Sequence, residues 1–361
     1  MLTIVVPTYK EAENLALLAK AVDKTLSAAG ATYELLIVDD NSPDDTVNVC
    51  AVLALTYPLR LLRPTGRPRD LSLSVIDGIE AAKFGYVLVM DADLSHPVDT
   101  IPSMFKAMLE NPRTFVVGSR YIPGGSFDRR WSIWRFLNSH LATVMARPLV
   151  KCSDPMSGFF GFNKDDLRGA VELQPIGYKI GLEIMVRGNF DRVIELPIGF
   201  KDREVGDSKM NFNQQLKYLQ HLRRLYFYKF RNWTEFVHFG VVGASGFVVD
   251  VIFYFLFQAL GVPHQIARGL SFWPAVSWNW MLHRQGTFSH RPRRAKLRQW
   301  LEFVFASMVG FSFNWSVYLA LTGEFAFFDQ YRVLALMIGV VSASLFNFAA
   351  SSWFVYSKTR L

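Results

Sequence analysis

Over the first two hundred or so residues, short apolar runs alternate with stretches of helical spacing. Leu2–Val6, Leu35–Val38, Leu59–Leu62, Tyr86–Met90 and Phe115–Gly118 are apolar throughout. That pattern predicts strands buried on both faces. Between them, Glu11 to about Ala29 carries Leu15, Leu18, Ala19 and Val22 on one helical face. Asp44–Leu55, Ser74–Lys83 and Ile101–Glu110 also read as helices, and Ser157–Phe162 reads as a core strand. Strand–helix alternation implies a mostly parallel sheet, in which ligands bind at the carboxyl ends of the strands.

The pattern changes near residue 235. Phe236–Leu260 is long enough to cross a bilayer, and three further apolar stretches follow at about 266–283, 301–322 and 333–356. Four membrane spans are therefore expected. Between the halves, Leu216, Leu219, Leu222, Tyr226 and Phe230 recur at helical spacing among Lys217, Arg223, Arg224, Lys229 and Arg231. That mixture predicts amphipathic helices lying on a membrane face, with a helix packed on the soluble domain as the alternative. The organisation read from the sequence is a soluble domain over 1–210, interfacial helices over 211–234 and a membrane domain over 235–361.

Charge sharpens this picture. The 361-residue chain carries a net +8. Only Glu235, Asp250, Glu302, Glu324 and Asp329 are acidic from residue 235 onward. The basic residues cluster beside apolar segments, which favours membrane lipids over nucleic acid as partner. The stretch His283–Trp300 holds Arg284, Arg291, Arg293, Arg294, Lys296 and Arg298, and the tail adds Lys358 and Arg360. The positive-inside rule then puts the soluble domain, that loop and the C-terminus in the cytoplasm. No cleavable signal peptide is expected, because "LTIVVPTY" runs straight into a strand. Cys50 and Cys152 are too few for a disulfide framework and suit a reducing compartment. Asn279, Asn314 and Asn347 lie inside apolar spans, where interhelical hydrogen bonds are expected, and Gly243 and Gly246 should permit close packing.

Polar groups gather at the predicted strand ends. They are Pro7-Thr8-Tyr9-Lys10-Glu11, Asp39-Asp40-Asn41-Ser42, Asp91-Ala92-Asp93 and Ser119-Arg120-Tyr121. Asp91 and Asp93 repel each other unless they share a cation. Mg²⁺ or Mn²⁺ takes such oxygen ligands and keeps coordination places for substrate phosphates. A diphosphate held there would be a stabilised leaving group. Arginine suits a second phosphate because its planar fork binds two oxygens. His96, before Pro97, reads as structural. Glu183 lies on an apolar helix face, with Lys179 one turn earlier as a candidate partner.

The stretches "IVVPTYKEAENL", "LLIVDDNSPDDT", "VLVMDADLSHP", "VVGSRYIPGG", "DPMSGFFGF" and "GDSKM" resemble the inverting glycosyltransferases of family 2. The resemblance is strongest to their polyprenyl-phosphate branch, of the dolichol-phosphate mannose synthase type, and spans about residues 2–210. The helical tail resembles the membrane domain fused to some prokaryotic members. The resemblance implies an α/β GT-A (Rossmann-like, mostly parallel sheet) catalytic domain plus an all-α four-helix transmembrane domain. It implies that Pro7, Tyr9, Glu11, Val38, Asp39 and Asp40 hold a nucleoside. Asp91, Ala92 and Asp93 would hold metal and diphosphate. Arg120, Arg135 and Ser139 would take the lipid acceptor's phosphate, and Lys179, Arg203 and Lys209 would line the diphosphate and acceptor side of the pocket. Where the family has a further Gln ligand this chain has Ser95, a shorter metal ligand. Where it has a Gly-rich stretch this chain reads "GRPRDLSLSV", with Arg67 and Arg69 nearby. The reaction implied is transfer of a sugar to polyprenyl (dolichyl) phosphate at the cytoplasmic membrane face, with Mg²⁺ or Mn²⁺. Mannose from GDP-mannose is the preferred donor and a UDP-sugar the alternative. A processive polysaccharide synthase is disfavoured because its Q-x-x-R-W motif is missing: "RRW" at 129–131 and "RQW" at 298–300 do not supply it. A non-enzymatic lipid-binding protein is disfavoured by the acidic pair and the arginines. Self-association through the membrane domain is a further expectation.

Overall fold

The computed structural model describes residues 1–127, 133–169, 173, 174, 176–200, 212–292 and 294–356. The chain divides into two compact units, Met1–Lys229 and Phe230–Leu361.

In the first unit the apolar runs form strands where their burial requires it. The first elements are β1 Leu2–Thr8, α1 Ala12–Ala28, β2 Tyr33–Asp39, α2 Thr46–Leu53, β3 Leu59–Leu62, α3 Leu71–Ala81 and β4 Tyr86–Val89. Then come α4 Ile101–Glu110, β5 Thr114–Ser119, a short β6 Ser126–Phe127, α5 Ile133–Ala146, β7 Phe160–Asn163, α6 Ile180–Arg187, β8 Arg192–Pro197, a short β9 Gly199–Phe200 and α7 Phe212–Lys229. Seven strands make one sheet in the order β3-β2-β1-β4-β7-β5-β8. All neighbours pair in parallel except β7, which runs antiparallel between β4 and β5. The sheet is the mostly parallel one expected of a GT-A-type domain. β2 is buried along its whole length, as its unbroken apolar run requires. One face packs on α1 and α4 through Leu15, Leu18, Val22, Ile101 and Met104. On the other, α3 lies against β1 and β2 because Gly78 has no side chain where Val5 and Val38 approach.

β7 explains the phenylalanines of "SGFFGF". Phe160 and Phe162 both stack on Phe115 of β5, with centroids at 5.2 and 5.6 Å. The basic amphipathic stretch forms α7. It buries Leu222 and Leu225 and donates from Tyr218 Oη to the Ala142 carbonyl (2.6 Å) and from Tyr226 Oη to that of Met145 (2.8 Å). Leu216 and Leu219 stay exposed. The compact unit thus runs on to Lys229, because α7 packs on α5.

The second unit holds α8 Arg231–Ala259, α9 His264–Leu282, α10 Lys296–Glu324, α11 Ala326–Gln330 and α12 Arg332–Ala350. Among the described residues, three helical stretches are long and apolar enough to cross a membrane: Arg231–Ala259, Lys296–Glu324 and Met337–Val355. The stretch expected as a span over 266–283 is the helix α9, interrupted by Pro274, and is not among those three.

The unit is built from two alike hairpins. α8 packs on α9 and α10 on α12. In the first, Gly246 of α8 meets Asn279 of α9; in the second, Gly310 of α10 meets Asn347 of α12. Four residues after each asparagine the helix widens into a π-helical turn, His283–Thr287 and Ser351–Val355. Each turn is followed by an aromatic residue, Phe288 and Tyr356, and these two rings stack at 4.6 Å. Asp250 and Ser271, hydrogen-bonded at 2.7 Å, stand at the same offsets as Asn314 and Gly339. The asparagine reading needs correcting. The buried Oδ1 atoms of Asn279, Asn314 and Asn347 have no hydrogen-bond partner. Each instead rests against a glycine of the facing helix, where a weak Cα–H···O contact is the available interaction. Gly246 makes such a close approach, whereas Gly243 faces open space.

At one end of this unit Arg291 is buried and donates to Glu235, Ser352 Oγ and the carbonyls of Ser352 and Tyr356. His290 lies 2.9 Å from the same carboxylate, and Arg231 3.4 Å. Arg294 and Arg298 pair with Glu302 at 3.1 and 3.0 Å. Arg293, Lys358 and Arg360 lie outside the described residues.

Candidate active site

The ends of β2, β1 and β4 lie side by side. Pro7 pairs with Val38 and Thr8 with Asp39, while the Met90 N–H donates to the Val5 carbonyl (3.1 Å). After each of these strands one residue enters the left-handed region: Lys10 (φ 58°), Asn41 (φ 56°) and Leu94 (φ 58°). Such a conformation costs a non-glycine residue about 1 kcal/mol or more. It is held by side chains of the rim itself. Ser42 Oγ accepts from the Lys10 N–H (2.9 Å), and Asp93 Oδ1 accepts from the Ser95 N–H (3.1 Å).

Asp39 and Asp40 are buried and bonded. Asp39 accepts from the Ser42 N–H and pairs with Arg63 Nε at 2.9 Å. Asp40 accepts from the Asp70 N–H (2.8 Å) and from Arg67 (3.2 Å), and Arg67 also reaches Asp77 at 2.6 Å. The two arginines of "GRPRD" thus have places: Arg67 ties Asp40 to α3, and the Arg69 guanidinium stacks on the Tyr9 ring at 4.5 Å. Glu11 precedes α1 and accepts from Asn14 Nδ2. Pro7, Tyr9, Glu11, Val38, Asp39 and Asp40 therefore share one rim.

Asp91 follows β4 with its side chain 33% exposed. It has no Lys or Arg within 4 Å among the described residues. His96, buried at 3% exposure, stands with Nε2 3.9 Å from Asp91 Oδ2, and its Nδ1 accepts from the Asp91 N–H (3.1 Å). Burial lowers the pKa of His96 and outweighs the opposing pull of Asp91 and Asp93, so the ring is neutral. Gly158 borders the same spot: a Cβ there would lie 3.7 Å from Asp91 Oδ2. Ser95 is buried and its Oγ has no hydrogen-bond partner. Among the described residues no three His, Cys, Asp or Glu side chains form a metal cluster. The donor set on offer is two carboxylates and an orphaned hydroxyl, which fits a hard cation that shares its shell with substrate oxygens.

Arg120 follows β5. Its Nε and Nη2 donate to the two oxygens of Asp154 (2.7 and 2.8 Å). Burial works to lower its pKa, but the hydrogen bonds and charge of Asp154 win and raise it. The fork expected to clasp a phosphate is thus engaged by Asp154, itself fully buried and held through its N–H by Glu195 of β8. Ser139 Oγ bonds Tyr121 Oη at 2.9 Å. Arg135 falls one turn before Ser139 on α5; its side chain lies outside the described residues, as do Arg129, Arg130, Arg203 and Lys209.

Lys179 is half-buried and donates from Nζ to the Met156 carbonyl (3.1 Å). Its expected partner Glu183 pairs instead with Arg187, one turn later (2.9 Å), and accepts from the Gln174 N–H. Burial, then repulsion from Arg120, lowers the Lys179 pKa to about 8. Lys179 lines two pockets. One contains Pro7, Asp91 and Gly158. The other is an apolar cavity of about 220 Å³ between α5 and α7, walled by Leu141, Ala142, Met145, Tyr218 and Leu219.

Sequence reading missed Glu195 and the bracing role of Asp154. A single acid inside the apolar run "RVIELPI" was the available signal for the first.

Residues 3–169 match glycosyl transferase family 2, and residues 238–356 match the GtrA/DPMS transmembrane domain. A dolichol-phosphate mannosyltransferase of Pyrococcus furiosus is 35% identical over 347 residues, covering 94% of each chain. One of Saccharomyces cerevisiae is 37% identical over 237 residues, covering 63% of this chain and 88% of its own. One of Mycosarcoma maydis is 37% identical over 236 residues, covering 63% of this chain and 80% of its own. An acid-rimmed, mostly parallel sheet in this company defines a glycosyltransferase with a GT-A-type domain. More narrowly, the chain belongs to glycosyl transferase family 2, in the group that carries a GtrA/DPMS transmembrane domain.

Proposed function

We propose that the protein transfers mannose from GDP-mannose to a polyprenyl phosphate, dolichyl phosphate by the names of its relatives, with inversion at the sugar. The observation that carries the reading is Lys179, which lines both the pocket of Asp91 and the apolar cavity between α5 and α7. A lipid phosphate with its first isoprene units in that cavity would meet a nucleotide-sugar whose diphosphate sits at Asp91 and Asp93.

In the reaction a phosphate oxygen of the lipid attacks C1 of mannose from the face opposite the diphosphate. The C1–O bond to the diphosphate breaks as the new C1–O–P bond forms, and GDP leaves with the electron pair. A phosphate monoester loses its second proton near pH 6, so the nucleophile needs no strong general base. This accords with a rim whose buried histidine is neutral and serves as an acceptor. Pro7, Tyr9, Glu11, Val38, Asp39 and Asp40 hold the nucleoside, with Arg69 stacked on Tyr9 beside them. Asp91, Ala92, Asp93 and Ser95 face the diphosphate, and a bound Mg²⁺ or Mn²⁺ would supply charge neutralisation to the leaving group. Arg120 lends positive charge to the acceptor side, kept in place by Asp154, while Ser139 and Arg135 of α5 bind the lipid phosphate. Lys179, Arg203 and Lys209 complete that wall. Most of the rate then comes from positioning and fixed charge.

The reading places the site on the cytoplasmic face. Its support is the gathering of Arg231, Arg284, Arg291, Arg294 and Arg298 at the end of the membrane unit where α8 begins and α12 finishes. The test is transfer by the purified full-length protein from radiolabelled GDP-mannose to dolichyl phosphate, with Mg²⁺ or Mn²⁺ and with EDTA, beside UDP-glucose and a UDP-amino sugar. Metal-dependent label in the lipid phase from GDP-mannose is the expected result. Transfer from a UDP-sugar in its place overturns the donor, and undiminished transfer in EDTA overturns the metal.

A further inference from the structure

We infer that His96 is a positioning residue for the transfer reaction, fixing Asp91 from the side away from substrate. The inference rests on the reading of Asp91 as a cation ligand and goes beyond it. Both ring nitrogens address that one residue. Nδ1 accepts from the Asp91 N–H at 3.1 Å. In a neutral imidazole the nitrogen that accepts carries no proton, so Nε2 bears the N–H. Nε2 stands 3.9 Å from Asp91 Oδ2, too long for a hydrogen bond and close enough for its N–H dipole to attract the carboxylate.

The ring itself cannot drift. It stacks on Phe159 with centroids 5.0 Å apart and planes 12° from parallel, and Phe200 meets its edge at 5.8 Å. Phe159 is anchored in turn, its carbonyl accepting from the Gly118 N–H at 2.8 Å. Gly158 borders both groups: a Cβ there would lie 3.5 Å from His96 Cε1 and 3.7 Å from Asp91 Oδ2. Asp91 is thus held through its backbone N–H, faces the ring's second nitrogen, and keeps its side chain 33% exposed. A histidine that merely filled the core would need its ring, and would not need both nitrogens turned on one carboxylate-bearing residue.

The substitutions separate ring from nitrogens. His96→Phe keeps the stacking and removes both polar contacts. His96→Asn keeps an acceptor oxygen where Nδ1 stood, and His96→Gln puts its amide where Nε2 stood. Mn²⁺ binding is read by electron paramagnetic resonance on the full-length protein with GDP present, alongside kcat, donor KM and the melting temperature. His96→Phe is expected to weaken Mn²⁺ binding by about 10–100-fold and to lower kcat with little change in melting temperature, with His96→Asn recovering most of both. Wild-type affinity for Mn²⁺ in His96→Phe overturns the inference. So does a matched loss in His96→Phe and His96→Asn that tracks a fall in melting temperature. If the wild-type protein itself binds no Mn²⁺, the metal reading fails. The kcat order then decides His96: Asn above Phe upholds the positioning role and equal values reject it. Should His96→Phe not fold, Asn against Gln decides in the same way, with Asn expected higher and equality rejecting it.

Discussion

Asp91 and Glu235 are carboxylates kept in opposite ways. Glu235, 1% exposed in the membrane unit, is ringed by Arg291, His290 and Arg231. Asp91, 33% exposed, has no Lys or Arg within 4 Å among the described residues. The first charge is neutralised by the protein's own cations, and its burial is tolerable only for that reason. The second is left to water and to whatever cation arrives. The same chemical group therefore serves cohesion in one unit and substrate handling in the other, and the difference can be broken experimentally.

The largest effect is expected at the exposed member. Asp91→Asn or Asp93→Asn should cut turnover by at least about 10²–10³-fold, with circular dichroism and melting temperature held; full activity in either would remove the pair from the chemistry. Glu235→Gln should do the reverse. It strands Arg291 without its counter-charge, a loss of about 3–5 kcal/mol for a buried pair, seen as a lower melting temperature in detergent. The material that remains folded should keep its donor KM. Gly310→Ala comes next. Its methyl has to displace Asn347, an overpacking cost of about 1–3 kcal/mol, while Gly243→Ala, whose methyl would meet nothing within 4 Å, should be silent in the same melt. The smallest effect is a pH limb. Lys179, flanked by Arg120, Asp154 and Asp91, has a pKa lowered to about 8 by burial and the nearby guanidinium. It is charged below that pH and neutral above it. Acceptor KM should therefore rise as pH climbs through about 8, and Lys179→Arg should abolish that rise; a flat profile in the native protein would take Lys179 out of acceptor binding.

The sheet was legible because strands buried on both faces must be apolar throughout. Its rim was legible because acids at the ends of such strands have few reasons to be there. What escaped depends on contacts distant in sequence. Nothing local says that "FFGF" slips antiparallel between β4 and β5, or that Glu195 braces Asp154, which braces Arg120. Lys179 and Arg187 each lie one turn from Glu183, and spacing alone does not tell which wins. The structure gives Arg187 to the acid and sends the Lys179 ammonium across to Met156. The asparagines of the spans read as hydrogen-bonding groups from their spacing alone, whereas the glycines opposite them offer a surface to lie on.

Two hairpins laid down on one plan make the membrane unit a doubled part, and each half is a control for the other. A substitution that one copy accepts forecasts the fate of its counterpart some sixty-odd positions further along the chain. The copies part where Asp250 and Ser271 stand opposite Asn314 and Gly339 in the plan. At those matched positions only the earlier hairpin has a side chain able to bear charge, so whatever that acid does for the protein, its twin half has no means of doing.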